Sequence, residues 1–280
     1  SGAGTGSTGT GESVAATTPA FRNPPAADPG QGFDVILLTC KAYDLDAAMD
    51  SVAPHVAAGN GLILPLLNGM AHVDTLRARF GADRVLGGLC GIFGTLSPEG
   101  VVVQMAGLPP RIGFGRFKDQ VERNVLDQPA GDIERIFAAA NFASARVEPI
   151  ERGLWDKWVV LAALAGGTCL MRGSIGAIVS GDDGTAIMQE ILAETTAVAR
   201  AAGYAPGDQR LEAARGILTD RNSDATASML RDIQRGGPTE GAHIIGDLLR
   251  RARGYGLATP LLRLANAHLQ TYEAERKKAG

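Results

Sequence analysis

One change of hydrophobic period divides this chain. From Phe33 to about residue 115, short apolar runs alternate with helical stretches, whereas from Glu151 onward helical patterns dominate and strand signals nearly vanish. The runs Phe33–Thr39 and Gly61–Leu67 are short and mostly apolar, of the kind seen in buried parallel strands. Helical stretches follow over about 44–56 and 73–80. Strand-like runs then come at 85–92, 101–105 and 111–115, close enough in sequence to pair antiparallel, and a helix near 132–140 closes this half. Strands alternating with helices predict an α/β layer with parallel pairing. Pro65 has no amide to give a ladder, so it implies an edge or a bulge in its strand. Beyond the change of period, helices are expected over about 151–171, 182–203, 208–220, 225–235, 238–256 and 260–275. Gly203, Gly254 and Gly256 read as helix ends, and Pro238-Thr239-Glu240 as a helix start with proline in the first turn. The expected organisation is an atypical, flexible segment over 1–32, an α/β domain over 33–148 and a helical domain over 149–280.

The 280 residues are enough for two domains with real cores. A net charge of -3 gives no electrostatic footprint for nucleic acid or an acidic membrane, so neither is an expected partner. The longest apolar stretch, around Trp158 to Leu170, is interrupted by Gly166-Gly167, and no membrane span is expected. No charged n-region leads into an apolar h-region at the start, and a cytoplasmic setting is the expectation. Cys40, Cys90 and Cys169 are odd in number and far apart, which suits small core residues better than a disulfide framework. His55, His72, His243 and His268 show no ligand-like spacing, so no metal site is expected.

Lys157 stands in Leu154-Trp155-Asp156-Lys157-Trp158-Val159, a helical pattern that is otherwise almost wholly apolar. Its neighbours one and two turns on are Leu161 and Ala165. Such a lysine either snorkels to water or faces a site, and a desolvated ammonium has a lowered pKa suited to giving up a proton. A lysine on a surface stripe is the equal alternative on this segment alone. Lys41 follows the first buried run and Asn68 the second, where ligands of open α/β sheets bind. Each has an ordinary reading, a solvated loop lysine and an Asn-Gly turn, and it is their coincidence that suggests a site. In the second half, Ser228 and Asp232 lie one turn apart, and Glu240 stands at a helix start that favours a carboxylate in any case. The functional reading of Glu240 is a group that orients Lys157 or a ligand.

Taken together, Asp34-Val35-Ile36-Leu37-Leu38 before Lys41-Ala42-Tyr43, then Asn68-Gly69, Val85-Leu86-Gly87-Gly88, Trp155-Asp156-Lys157, Ser228-Met229-Leu230-Arg231-Asp232, Thr239-Glu240 and Ala258-Thr259-Pro260 resemble the ketopantoate reductase family, the NADPH-dependent 2-dehydropantoate 2-reductases. The resemblance runs from about Phe33 to Tyr272. It implies a Rossmann-like sheet domain joined to an all-helical domain, with the active site between them. It further implies Lys157 as proton donor, Glu240 as an acid that contacts the cofactor and orders the site, and Lys41 and Asn68 beside the nicotinamide end of NADP(H). Ser228, with Asn68 and Lys157, is implied in binding a 2-keto acid. A homodimer is the assembly expected.

The sequence departs from the family pattern in two places. Where the family has asparagines one and two turns after its lysine, this chain has Leu161 and Ala165, which predicts an apolar wall and little preference for ketopantoate over a 2-keto acid lacking its terminal hydroxyl. The family opens with strand, GxGxxG and helix, whereas Gly4-Thr5-Gly6-Ser7-Thr8-Gly9 matches the glycine spacing without that context. A linker is the expected reading of Gly4–Gly9, and weakened NADP(H) binding follows from it. Two alternatives to a 2-keto acid reductase are carried forward: a non-catalytic or cofactor-incompetent scaffold, and a dehydrogenase for another hydroxy acid or an imine.

Overall fold

Two β-α units open the part of the chain that the computed structural model describes, which is residues 28, 30–92, 94–96, 101–104, 109–140 and 142–279. The Gly4–Gly9 segment and nearly all of 1–32 lie outside the described residues. The first unit is β1 (Val35–Leu38) and α1 (Leu45–Ala58), and the second is β2 (Leu62–Pro65) and α2 (Ala71–Phe80). β3 (Gly87–Gly91), β4 (Gly94–Leu96), β5 (Val102–Gln104) and β6 (Arg111–Gly115) follow. Then come α3 (Lys118–Glu122), α4 (Asp127–Ala138) and β7 (Ala143–Arg146).

β1 and β2 pair in parallel, from Val35 against Leu62 to Leu38 against Pro65. Ile63 bridges Val85 in parallel, β3 pairs antiparallel with β6, and β6 pairs parallel with β7. β4 and β5 form a separate antiparallel pair. Strand alternation sends successive side chains to opposite faces. Ile63 accordingly packs with Met49, Val56 and Leu76 under α1 and α2, while Leu62 and Leu64 pack with Phe114, Ile133 and Phe137 under α4. Helices on both faces of a largely parallel sheet make this a Rossmann-like domain.

Pro65 lies at the end of an internal strand, not at a sheet edge. The amides of Leu62 and Leu66 donate to Asp34 O and Leu38 O of the β1 side. Alternation turns the donor-less Pro65 the other way, where pairing amounts to one bridge. β1 is itself an edge among the described residues, which leaves Leu37 47% exposed despite its apolar run. β7 and the short α3 were not legible beforehand. Ala143-Ser144-Ala145-Arg146 carries no β-branched or aromatic residue, and it is the ladder to β6 that makes it a strand.

The second half is helical: α5 (Glu151–Met171), α6 (Ile175–Val179), α7 (Gly184–Ala201), α8 (Asp208–Leu218), α9 (Ser228–Gln234), a π-helix (Ala242–Gly246), α10 (Asp247–Gly254) and α11 (Pro260–Ala279). The core surrounds α5, with Trp158, Val159 and Ala162 packed among Met188, Ile191, Leu230, Ile245, Leu262 and Leu269. Gly166-Gly167 lies inside α5, the helix expected over 151–171. A Cβ on Gly167 would collide with Met188 Sδ, so the glycine is where α5 and α7 approach closely. Uninterrupted, α5 does reach the length and apolarity of a membrane-crossing helix, but most of it is buried inside the helical domain. The stretch expected as one helix over 238–256 is divided. Pro238 and Thr239 are outside it, the Thr239 amide donating to Glu273 Oε1 at 2.6 Å, and the π-helix precedes α10.

Candidate active site

The carboxyl ends of the paired strands β1 and β2 are each followed by a polar residue. Lys41 stands immediately before the short 3-10 turn Ala42–Asp44. Asn68 follows β2 and is half-buried. Gly69 has φ +76°, a backbone conformation that costs a side chain roughly 1–2 kcal/mol. An added Cβ there would also lie 3.1 Å from His243 Cδ2. The Asn68-Gly69 turn is therefore pressed against the helical domain.

Lys41 crosses to that domain as well. Its Nζ donates to Glu240 Oε2 at 3.1 Å and to Asp232 Oδ2 at 3.2 Å. Glu240 Oε1 accepts the Ala42 amide at 3.1 Å. Burial acts to lower the Lys41 pKa, but Glu240 and Asp232 outweigh it and hold the ammonium charged. Glu240 is buried and stands one step before its helix, its carbonyl accepting the amides of His243 and Ile244. The carboxylate meets Lys41 and the Ala42 amide, and no hydrogen bond joins it to Lys157 among the described residues. Ser228 is the first residue of α9, and Asp232 lies one turn on, so the Ser228 side chain starts on the face of α9 that meets Lys41.

Lys157, in the second turn of α5, donates from Nζ to the Cys90 carbonyl at 2.6 Å. Cys90 belongs to β3, so this contact too joins the domains. Burial lowers the lysine's pKa, partly offset by Cys90 and Glu240. The apolar wall divides in two. Leu161 is half-buried against the helical core, while Ala165 is 1% exposed and belongs to that core. Only Leu161 can border a ligand.

Two imidazoles far apart in the sequence meet beside the Asn68-Gly69 turn. His72 Nδ1 lies 3.1 Å from His243 Nε2, with the rings stacked at 5.3 Å. No short-range spacing links them, since 171 positions separate them. The available signal was position: His72 is four residues after Asn68, and His243 three after Glu240. Cys40, Cys90 and Cys169 are free thiols. No cluster of three or more potential ligands for a metal exists among the described residues.

Comparison with known proteins decides the family. Residues 4–119 match the ketopantoate reductase PanE/ApbA family, and residues 149–273 match its C-terminal domain. The chain belongs to the ketopantoate reductase family. An uncharacterized oxidoreductase of Bacillus subtilis, YkpB, is 32% identical over 90% of this chain and 80% of its own. A 2-dehydropantoate 2-reductase of Halobacterium salinarum is 25% identical over 88% of this chain and 79% of its own. The fold matches a ketopantoate reductase of Ralstonia eutropha with TM-score 0.73 at 24% identity, covering 90% of this chain and 80% of that one. It also matches a D-mandelate dehydrogenase solved with NADH and anilino(oxo)acetate, with TM-score 0.77 at 17% identity, covering 91% and 79%. The chain is thus an oxidoreductase of the ketopantoate reductase type, with the Rossmann-like and helical halves of that fold.

Proposed function

We propose that this ketopantoate reductase relative reduces a 2-keto acid to the 2-hydroxy acid with NADPH, Lys157 giving the proton. The observation that carries the reading is the Lys157 ammonium, held on the Cys90 carbonyl at the seam between the domains. Lys41, Asn68 and Glu240 surround the same seam at the carboxyl ends of β1 and β2, and they fit a nicotinamide nucleotide there. When bound, the dinucleotide supplies the hydride. The chain's own residues do the rest. One Lys157 N–H is fixed on Cys90 O, which aims the remaining protons into the cleft. Its lowered pKa brings it closer to the pH at which an ammonium serves as a general acid, and its charge stabilises a developing alkoxide. Asn68 and Ser228 supply polar groups for the substrate, and Glu240 fixes Lys41.

Leu161 favours a second reading of the substrate. An apolar side chain where the family places an amide suits a 2-keto acid without ketopantoate's terminal hydroxyl. A homodimer belongs to the same proposal, since a structural neighbour, the ketopantoate reductase of Staphylococcus aureus, is described as dimeric. The test is a fluorescence titration with NADPH and with NADH, followed by turnover of ketopantoate and hydroxyl-free 2-keto acids. Saturable binding with turnover of at least one acid is expected. Absence of binding to either nucleotide overturns the reading in favour of a cofactor-incompetent scaffold.

A further inference from the structure

Three elements meet at a pair of imidazoles. His72 is the second residue of α2, four residues beyond Asn68, and His243 is the second residue of the π-helix, three beyond Glu240. Their rings are 23° from parallel, and His72 Nδ1 and His243 Nε2 stand 3.1 Å apart. α5 joins them from the side of the catalytic lysine: Trp158, next to Lys157, donates from Nε1 to the Ile244 carbonyl at 3.1 Å.

The cost of this arrangement points to a use. His72 is 1% exposed, and its Nε2 is buried with no hydrogen-bond partner among the described residues. An imidazole is costlier to bury than an apolar side chain of similar size. The short bond needs one ring to donate and the other to accept, which holds unless both rings are protonated. A π-turn displaces side chains from their α-helical register and recurs at functional sites. Here it carries His243 onto the Asn68-Gly69 turn, where Gly69 has no side chain to stand in the way.

We propose that His72 and His243 are a positioning pair for the reaction at Lys157, a hydrogen-bonded clasp that sets the Asn68 turn against the Glu240 helix start. The inference rests on the reading of this cleft as the reductase site. Neither imidazole is assigned a role in the chemistry itself. The pair fixes where Asn68 stands relative to Lys157 and Glu240.

The side chains of Asn and Leu have nearly the same shape, which separates a hydrogen-bonding role from packing. Asn at position 72 presents an amide where Nδ1 stands and keeps the bond, whereas Leu removes it. His72→Leu is expected to lower kcat about 10- to 100-fold while the KM of the keto acid stays within about threefold. His72→Asn is expected to keep kcat within about threefold of wild type. The reverse order, Leu retaining as much kcat as Asn, makes the position a packing site and overturns the inference. His243→Gln against His243→Met repeats the comparison from the other ring should the position-72 variants not fold. A wild-type protein that turns over no 2-keto acid shows instead that the reductase reading has failed, and that is visible before any variant is made.

Discussion

The ammonium of Lys157 and the backbone carbonyl of Cys90 meet 2.6 Å apart across the seam between the sheet and helical domains. The lysine comes from the long central helix of one domain and the carbonyl from a strand of the other. The position of the proposed proton donor is therefore set by how the domains dock, and the charge is held where burial opposes it. Lys157→Ala is expected to lower kcat/KM about 100- to 10,000-fold, the range of a lost general acid. Steady-state NADPH oxidation checks this, and a variant retaining a third or more of the turnover removes Lys157 from the mechanism.

Stability should respond to the same lysine. Its folded-state pKa is depressed, so the unfolded chain binds more protons between the folded and unfolded values, and stability rises with pH through that window. Lys157→Met keeps the apolar stem without the charge. It is expected to be at least as stable as wild type at neutral pH and to show a flatter rise towards alkaline pH. Urea denaturation across that range is the measurement.

His72 gives the corresponding acid-side prediction. Burial, with His243 and Lys157 facing it, lowers its pKa from 6.5 to about 3. His243 is lowered too, by burial against the pull of Glu240, Asp247 and a hydrogen bond with the Asn68 backbone. For both rings the unfolded state takes up protons first, so stability is lost as pH falls below about 6.5. Each uncompensated proton contributes a slope of about 1.4 kcal/mol per pH unit. Between pH about 6.5 and 5, above most carboxylate titration, His72→Asn should show a visibly smaller slope in chemical denaturation.

Selectivity should turn on Leu161 alone. Ala165 is packed in the helical core, so an asparagine there would be buried without reaching a substrate. Wild-type kcat/KM for ketopantoate and for a hydroxyl-free 2-keto acid should agree within about tenfold, and Leu161→Asn should move the ratio towards ketopantoate by roughly tenfold. Competition kinetics on the two acids decides. A thousandfold wild-type preference for ketopantoate would place the missing contacts on other residues.

Gly69→Ala combines a left-handed backbone with a Cβ 3.1 Å from His243 Cδ2. A loss of about 1–2 kcal/mol in urea denaturation is expected from the backbone alone. Turnover should fall as well, because the turn that carries Asn68 must move away from His243. An alanine variant with wild-type stability and turnover would show that this turn has slack.

Much of the architecture was legible before any coordinates. The apolar runs Phe33–Thr39 and Gly61–Leu67, and the apolar periodicity of residues 151–171, mark the order of layers, because burial in a sheet and around a core helix leaves a trace along the sequence. Elements held by their partners were illegible. β7 is a strand because β6 pairs with it.

The sequence by itself determined the two halves and put Lys41, Asn68, Lys157, Ser228 and Glu240 forward, since strand ends, helix starts and an out-of-place lysine are local facts. Only the tertiary structure decided their partners. It gave Glu240 to Lys41 and the Ala42 amide, gave Lys157 to the Cys90 carbonyl, and closed His72 on His243 across 171 positions. Hydrogen bonds reach about 3 Å and are blind to distance along the chain, so no spacing in the sequence carries them.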